Sequence, residues 1–268
     1  MSEPREDVLD RWLDALEARH LADLSFAEVR RGLQALSSLY VERRERAPLS
    51  DAFRGAGKRA AYALFYGPLH FLAVRRIVRE LEAGFPAPER ILDLGCGTGA
   101  AGAAWAIEAG GAPEVLGLDR AEWAVEETAL ALRSLGVRGR SRRADLGRLS
   151  LPGGFGAVVA AYTLNEIEAA VREELIEKLL AAASSGARVL IVEPVSRRAA
   201  PWWERTSAAI RSAGGRDDTW RFPAGLPERL LRLGRAAGLD PREITARTLW
   251  LGSPGPGRAP RPSRHVSS

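Results

Sequence analysis

The feature that most constrains this chain is a glycine-rich turn between an apolar run and a helical run. Residues 91–99 read Ile-Leu-Asp-Leu-Gly-Cys-Gly-Thr-Gly, and residues 100–109 have a helical composition. Glycines let the backbone turn sharply and approach a ligand without a Cβ clash. The N–H groups of such a turn and of the following helix N-terminus form a polar cradle. The pattern therefore predicts a nucleotide-type cofactor loop at the first strand–helix junction of an α/β sheet.

Asp93 distinguishes between the cofactors that such a loop can hold. The spacing Gly95-x-Gly97-x-x-Ala100 also satisfies a dinucleotide fingerprint, although that match alone is weak. We expect Asp93 to face the cofactor, where its carboxylate repels a pyrophosphate but attracts the ammonium and sulfonium groups of S-adenosylmethionine (SAM). The strand followed by Asp-x-Gly-x-Gly-x-Gly resembles the first motif of class I methyltransferases. We favour this interpretation over a dinucleotide oxidoreductase or a purely structural turn.

Strand and helix patterns alternate regularly from Arg90 onward, which predicts a parallel sheet with right-handed crossovers. The predicted fold class is α/β, a class I methyltransferase Rossmann-like sheet with a helical N-terminal module. Predicted strands cover 91–94, 115–119, about 138–142, 157–162, 188–192, 243–245 and 248–251. Predicted helices cover 100–109, 121–135, 167–184, about 202–212 and 226–237.

Three regions are predicted along the chain. Residues 1–84 carry apolar stripes at helical spacing and form the N-terminal module, whereas residues 85–252 form the SAM-binding domain. Residues 253–268 contain prolines and arginines without an acid, so we expect a disordered basic tail. Tyr62 and Tyr66, which precede the sheet, cover the cofactor, line the substrate cleft or serve packing alone.

Composition narrows the class of protein. The formal net charge is +5 and nearly all cations are arginine, which reflects either a GC-rich coding sequence or contact with phosphates. The chain has no apolar run long enough for a membrane span and no signal-peptide core, so we expect a cytoplasmic protein. The single cysteine, Cys96, excludes a disulfide framework and a cysteine-based metal cluster, and we expect no metal.

The remaining cofactor ligands are expected beyond the carboxyl ends of the strands. Asp119 ends the second strand and can accept both ribose hydroxyls, or it caps the following helix. Asp145 follows the third strand and meets the adenine amino group, unless it is a solvated loop acid. The predicted cofactor set is Asp93, Leu94, Gly95, Cys96, Gly97, Thr98, Gly99, Asp119, Arg120, Asp145, Leu146 and Ala161.

Transfer of a methyl group from a sulfonium is an SN2 displacement that depends on alignment and needs no covalent nucleophile. Tyr162 and Asn165 end the fourth strand and are the predicted catalytic residues, although Asn165 also suits a helix cap. The histidines are scattered and are predicted to be surface or packing residues: His20, His70 and His265. A lone Cys96 also argues against a cysteine-adduct mechanism.

Arg138, Arg140 and Arg142 alternate along the third predicted strand, so they project from one face of it. Such a stripe fits an RNA-facing surface. The same charges also protect an edge strand from aggregation, and this strand is an edge strand in the class I sheet. The sequence leaves both interpretations open.

Several segments together resemble the ribosomal small-subunit methyltransferase-like family, over about residues 30 to 195. They are residues 33–40 (LQALSSLY), 61–68 (AYALFYGP), 92–100 (LDLGCGTGA) with Trp105, 160–166 (AAYTLNE) and 192–194 (VEP). The resemblance implies the class I fold, the SAM cofactor and a role at small-subunit ribosomal RNA or in small-subunit assembly. This chain lacks the cysteines that hold an iron–sulfur cluster in mitochondrial-type members, and it diverges after Arg197.

Three functions follow as alternatives. The first is a SAM-dependent methyltransferase that acts on RNA, with small-subunit ribosomal RNA or the small ribosomal subunit as partner. The second is a small-molecule SAM-dependent methyltransferase, with the N-terminal helices and residues 196–240 as a lid. The third is a non-catalytic SAM-binding assembly factor.

Overall fold

The computed structural model describes residues 5–42, 53–195 and 202–252. The helices are α1 (Arg5–His20), α2 (Phe26–Glu42), α3 (Ala56–Ala61), α4 (Gly67–Glu80), α5 (Ala100–Glu108), α6 (Glu122–Ser134), α7 (Ala169–Ser184), α8 (Trp203–Ser212) and α9 (Glu228–Ala236). The strands are β1 (Arg90–Leu94), β2 (Glu114–Asp119), β3 (Gly139–Arg143), β4 (Ala157–Ala161), β5 (Arg188–Glu193), β6 (Arg216–Pro223) and β7 (Glu243–Leu251). A π-helical turn (Tyr62–Tyr66) joins α3 to α4 without a break.

The described strands form one seven-stranded sheet in the order β3-β2-β1-β4-β5-β7-β6. β1 to β5 are parallel to one another, and β7 runs antiparallel to both β5 and β6. Helices connect β1 to β2, β2 to β3 and β4 to β5, as the sequence predicted, whereas a three-residue 3₁₀ turn (Leu146–Arg148) lies between β3 and β4. The structure confirms the predicted α/β, class I methyltransferase Rossmann-like fold.

The last part of the sheet differs from the prediction. β6 was missed, because its sequence Arg-Asp-Asp-Thr-Trp-Arg-Phe-Pro is largely polar and the strand lies at the sheet edge, where only one face is half-buried. The two strands predicted at 243–245 and 248–251 are one continuous strand, β7. β7 is flanked by β5 and β6, so its central position explains why a long strand is stable there.

The N-terminal helices pack directly against the sheet-covering helices. Trp12 and Phe71 meet edge to face, with ring centroids 5.6 Å apart, and they share one apolar cluster with the sheet residues Val115 and Val159. The predicted boundary at residue 84 is crossed by this cluster, and the division into modules stays a prediction. The predicted tail, 253–268, lies outside the described residues. Among the described helices none has the length and apolar character needed to span a bilayer.

A buried ion cluster fastens α4 to α5. Arg75 Nε donates to Glu108 Oε1 over 2.9 Å, and Arg79 donates to both carboxylate oxygens of Glu108 over 2.8 and 3.1 Å. Glu108 and Arg75 are both buried, so the charge of each is compensated mainly by the other side chains of the cluster. The N-terminal helices therefore depend on Glu108 for part of their attachment to the sheet.

Replacing Glu108 by alanine is expected to lower the free energy of unfolding by about 3 kcal/mol, because the buried Arg75 guanidinium loses its counter-charge. Glu114→Ala is the matched control, since Glu114 forms an exposed pair with Arg90 at 3.8 Å. We expect that control to cost less than about 1 kcal/mol. Urea denaturation of both variants measures the difference; equal losses would contradict this role of Glu108.

Candidate functional site

The glycine-rich loop between β1 and α5 is held close to two neighbouring strand ends. Gly95, Gly97 and Gly99 all have positive φ angles, of 66°, 55° and 73°. A Cβ on Gly95 would lie 2.4 Å from Thr163 Cγ2, so only glycine fits there. The N–H groups of Gly95 and Cys96 both donate to the carbonyl of Leu118, over 2.8 and 3.0 Å.

The side chain of Asp119 links the same loop to the start of α6. Its Oδ2 accepts a hydrogen bond from Gly97 N over 3.1 Å, and its Oδ1 accepts one from Ala121 N over 2.9 Å. The N-cap of α6 is Ala121, so Asp119 is not the helix cap that the sequence offered as an alternative. Burial raises the pKa of the Asp119 carboxyl, while the backbone N–H groups of Ala121 and Gly97 oppose that rise. Its contact with a ribose stays a prediction.

Asp93 lies beneath the loop, at the first turn of α5. Its side chain is buried, and Oδ2 accepts a hydrogen bond from Gly102 N over 2.8 Å. Burial raises the pKa of Asp93 to about 7, the Gly102 N–H opposes this, and the charge of Asp119 adds to the rise. The carboxylate therefore stabilises α5 and adds negative charge under the loop. Direct contact with a cofactor stays a prediction.

The other predicted cofactor residues surround the loop. Cys96 is buried and its Sγ accepts a hydrogen bond from Thr128 Oγ1 over 3.1 Å, which is a packing role. Asp145 is exposed and accepts from Gly147 N over 3.0 Å, and Ala144 N donates to Asp119 O, so the segment after β3 lies beside Asp119. The remaining ones occupy the strand ends and the loop: Leu94 and Thr98 are buried, Leu146 is buried, Ala161 is half-buried and Arg120 is exposed.

The end of β4 contains a strained residue. Tyr162 has φ 56°, in the left-handed region that a bulky side chain rarely adopts. Its N–H donates to Val192 O over 2.7 Å, and the next residue, Thr163, donates from Oγ1 to Leu94 O over 3.0 Å. The strain is therefore maintained by contacts with the neighbouring strands β5 and β1. Such strain is typical of functional sites.

Asn165 is fixed by a buried carboxylate. Its Nδ2 donates to Glu193 Oε2 over 2.6 Å, and its Oδ1 accepts from Trp202 Nε1 over 3.1 Å. Glu193 also accepts from Leu164 N over 2.8 Å, and burial raises the pKa of this carboxyl to about 7. The N-cap of α7 is Glu168, so Asn165 does not have the helix-cap role considered as an alternative. The structure holds its amide in one orientation beside Tyr162.

An aromatic cluster lies at the same edge of the sheet, and the sequence did not predict all of its members. The ring of His70 stacks on Tyr162 with centroids 3.8 Å apart and an interplanar angle of 16°. Burial lowers the pKa of His70 to about 3, so the imidazole is neutral. The cluster continues through Tyr66, Tyr62, Phe53 and Trp123. His70 was predicted to be a surface or packing residue, and its stacking on Tyr162 places it beside the predicted transfer point.

The π-helical turn brings these rings together. Tyr62–Tyr66 forms that turn, and an extra residue in a helix changes which side chains share a face. A Cβ placed on Gly97 would meet nothing closer than the Tyr62 hydroxyl, at 3.7 Å. Tyr62 therefore lies within contact range of the glycine loop, and this position is compatible with both roles considered for Tyr62, covering the cofactor and packing. The sequence signal for this aromatic cluster was the pair of tyrosines, Tyr62 and Tyr66, that precede the sheet.

The strain at Tyr162 can be measured with a pair of substitutions. Both Tyr162→Gly and Tyr162→Ala remove the ring that stacks on His70, but only glycine adopts a φ of 56° without strain. We expect the glycine variant to be more stable than the alanine variant by about 1 kcal/mol. Denaturant unfolding of the two proteins gives this difference directly. An alanine variant that is equally or more stable would contradict the backbone strain.

The raised pKa of Asp93 predicts a pH dependence of stability. The folded protein retains the Asp93 proton to about pH 7, whereas an unfolded aspartate loses it near pH 4, so stability falls as pH rises between these values. Asp93→Asn mimics the protonated carboxyl and is expected to gain at least about 1 kcal/mol relative to the wild type from pH 5 to pH 8. Unfolding curves at both pH values test this. A constant difference would show that Asp93 ionises normally.

Comparison with known proteins agrees with this geometry. Residues 91–186 match the family described as a methyltransferase domain, whereas no curated protein sequence matches the chain. The fold is similar to that of the plantazolicin methyltransferase BpumL in complex with SAH, with a TM-score of 0.52 and 14% identity over 85% of this chain and 98% of that one. It is also similar to an O-methyltransferase family protein from Burkholderia thailandensis, with a TM-score of 0.56 and 15% identity over 86% and 73%.

Proposed function

We propose that this protein is a SAM-dependent methyltransferase. The observation that carries the proposal is the glycine loop, which is clamped by Asp119 and Leu118 within the segment that matches a methyltransferase domain. Gly97 lies within van der Waals range of the Tyr62 ring, so in this proposal the cofactor binds along the loop next to Tyr62. In this position the ligand lies beside the N-terminus of α5, next to a loop whose own N–H groups donate to Leu118 O and Asp119.

The charge of the loop favours SAM over a dinucleotide. Burial is the main cause of the raised pKa of Asp93, and the negative charge of Asp119 raises it further because the two carboxylates repel each other. A cation relieves this repulsion, whereas a pyrophosphate increases it. SAM has an ammonium and a sulfonium and no phosphate. The electrostatics of the described residues therefore support SAM as the cofactor.

The reaction needs alignment more than acid–base chemistry. SAM supplies an electrophilic methyl group, and the chain orients the nucleophile toward it. Glu193 and Trp202 each use one hydrogen-bonding position of the Asn165 amide. The second amide hydrogen and the second oxygen lone pair can therefore bind the substrate that accepts the methyl group. Tyr162 and His70 form an apolar wall that excludes water from the transfer point. These residues are assigned as positioning groups for the acceptor.

The acceptor in this proposal is RNA, specifically small-subunit ribosomal RNA, and the protein acts in the cytoplasm. The net charge of +5 supports this, together with the sequence resemblance to the ribosomal small-subunit methyltransferase-like family. A second candidate is a small-molecule acceptor, which the aromatic cluster around Tyr62 and Tyr162 favours, since small-molecule sites are lined mainly by apolar and aromatic side chains. The third candidate is a SAM-binding assembly factor that transfers no methyl group.

Asp119→Ala is expected to weaken SAM binding at least about tenfold, because the loop loses its hydrogen bond at Gly97 N. Asp240→Ala is the control with the same change in charge, since Asp240 is exposed and pairs with Arg242 away from the loop. Isothermal titration with SAM measures both, and NAD is titrated in parallel. An unchanged affinity in Asp119→Ala, or preferential binding of NAD, would contradict the cofactor assignment.

The acceptor is tested by methyl transfer. Lysate of a strain that lacks the gene is incubated with the purified protein and methyl-tritiated SAM, then separated into RNA, protein and small molecules. Label in small-subunit RNA is the expected result. Label confined to small molecules or to protein would overturn the RNA proposal, and absence of label with intact SAM binding would favour the assembly factor.

A further inference from the structure

Strand β3 differs from every other strand of the parallel part of the sheet. It reads Gly-Arg-Ser-Arg-Arg and has no apolar side chain, whereas the strands β1, β2, β4 and β5 are largely buried. Its backbone pairs with β2 from Gly139 to Arg143, and this pairing alone holds it in the sheet. A Cβ on Gly139 would lie 2.3 Å from Val115 O, so the close approach requires glycine. The side chains of β3 therefore contribute no apolar contact to the core of the sheet.

Two arginines of β3 point away from the helix that covers it. Ser141 Oγ donates to Val125 O in α6 over 2.7 Å, so the residues on either side of Ser141 face the opposite side of the strand. Arg140 and Arg142 are both exposed and lie about 7 Å apart along the strand. Within residues 5–42, 53–195 and 202–252, neither forms an ion pair or a side-chain hydrogen bond.

We call Arg140 and Arg142 the β3 arginine surface; three further exposed arginines lie next to β3 in the chain or in contact with it, namely Arg120, Arg143 and Arg148, and Arg143 lies on the face of β3 that Ser141 occupies. Arg143 Nε donates to Arg120 O over 3.0 Å, which leaves its terminal N–H groups free of that contact. Arg148 has 90% of its side chain exposed, and its carboxylate partner is Asp145 at 3.9 Å. Asp145 is therefore the acid that reduces the positive charge of this surface.

Protection of the sheet edge does not account for this density of charge. Charged side chains prevent edge-to-edge pairing whether or not a carboxylate neutralises them, so this role does not require arginines without a carboxylate partner. Elsewhere in the described chain, exposed arginines are commonly paired with carboxylates, as Arg205, Arg221 and Arg242 are. Unneutralised charge of one sign on one edge is complementary to a polyanion.

The position of the surface connects it to the proposed transfer site. Ala144 N donates to Asp119 O over 2.8 Å, so the chain leaves β3 directly beside the glycine loop. Guanidinium groups bind phosphate oxygens through two parallel N–H donors. We propose that the β3 arginine surface binds the phosphodiester backbone of a single-stranded nucleic acid and directs its bases toward Tyr162 and Asn165. The second half of this statement rests on the proposed methyltransferase function; the first half does not.

The surface is tested with two double variants of the full-length protein. Arg140→Gln/Arg142→Gln removes two charges from β3, and Arg221→Gln/Arg242→Gln removes two paired charges near the opposite edge of the sheet. The probe is a fluorescein-labelled single-stranded RNA of mixed sequence, longer than the roughly 4–16 nucleotides that small binding modules cover. Fluorescence anisotropy gives its affinity over a series of KCl concentrations. SAM affinity is measured on the same preparations.

We expect the β3 variant to bind the RNA at least about tenfold more weakly than the wild type at low salt. The slope of log affinity against log salt is expected to become less steep by about 1.4, since each single-strand phosphate contact contributes about 0.7. The control variant is expected to retain most of the affinity and the slope. SAM binding is expected to be equal in all three proteins.

Two results would overturn the proposal. One is a wild-type protein that does not bind the RNA at low salt; the other is an equal loss in both double variants, which shows a net-charge effect alone. If SAM binding is retained in either case, the methyltransferase assignment stands and the surface assignment fails. If no protein binds SAM while the β3 variant alone loses RNA affinity, the surface stands and the proposed function fails.

Discussion

The site depends on one carboxylate, that of Asp119, which joins the glycine loop to the start of α6. Its two oxygens accept from Gly97 N and Ala121 N, so the ends of β1 and β2 become one rigid edge. The carbonyl of Leu118 completes this arrangement by accepting from Gly95 N and Cys96 N. Glycine permits the positive φ angles of this loop but has no side chain that could pack. These hydrogen bonds therefore determine the loop conformation.

The sequence predicted the features that local pattern determines. Apolar runs such as Ile91–Leu94 must be buried, so they identified the parallel strands, and the glycine spacing located the loop. β6 was not predicted, because an edge strand with one half-buried face has little apolar periodicity. The stacking of His70 on Tyr162 could not be predicted, because it joins positions that are distant in sequence. The π-helical turn also alters the helix face that periodicity would assign to His70. The hydrogen bond from Gly102 N in α5 to Asp93 could not be predicted either, because it depends on the tertiary structure.

The two sides of the site have different chemistry. Toward the end of β4, Tyr162, His70 and Asn165 form a closed, largely neutral wall in which Glu193 fixes the amide. Toward β3 the surface is open and positively charged, since Arg140 and Arg142 lie outside the core. In the proposed binding mode a long polyanionic substrate would use both sides, with its backbone at the arginines and one base at the wall. A small molecule uses the wall alone.

The central claim is that SAM binds at the loop between β1 and α5. Amide hydrogen exchange, followed by mass spectrometry with and without SAM, tests it most directly because a bound ligand suppresses the local opening through which the internally bonded N–H groups of the loop exchange. The account predicts slower exchange in the peptides that contain Gly95–Gly99 and Asp119–Ala121, with little change in β6 at the far edge of the sheet. Unchanged exchange in those two segments under saturating SAM, or protection confined to other segments, would contradict it.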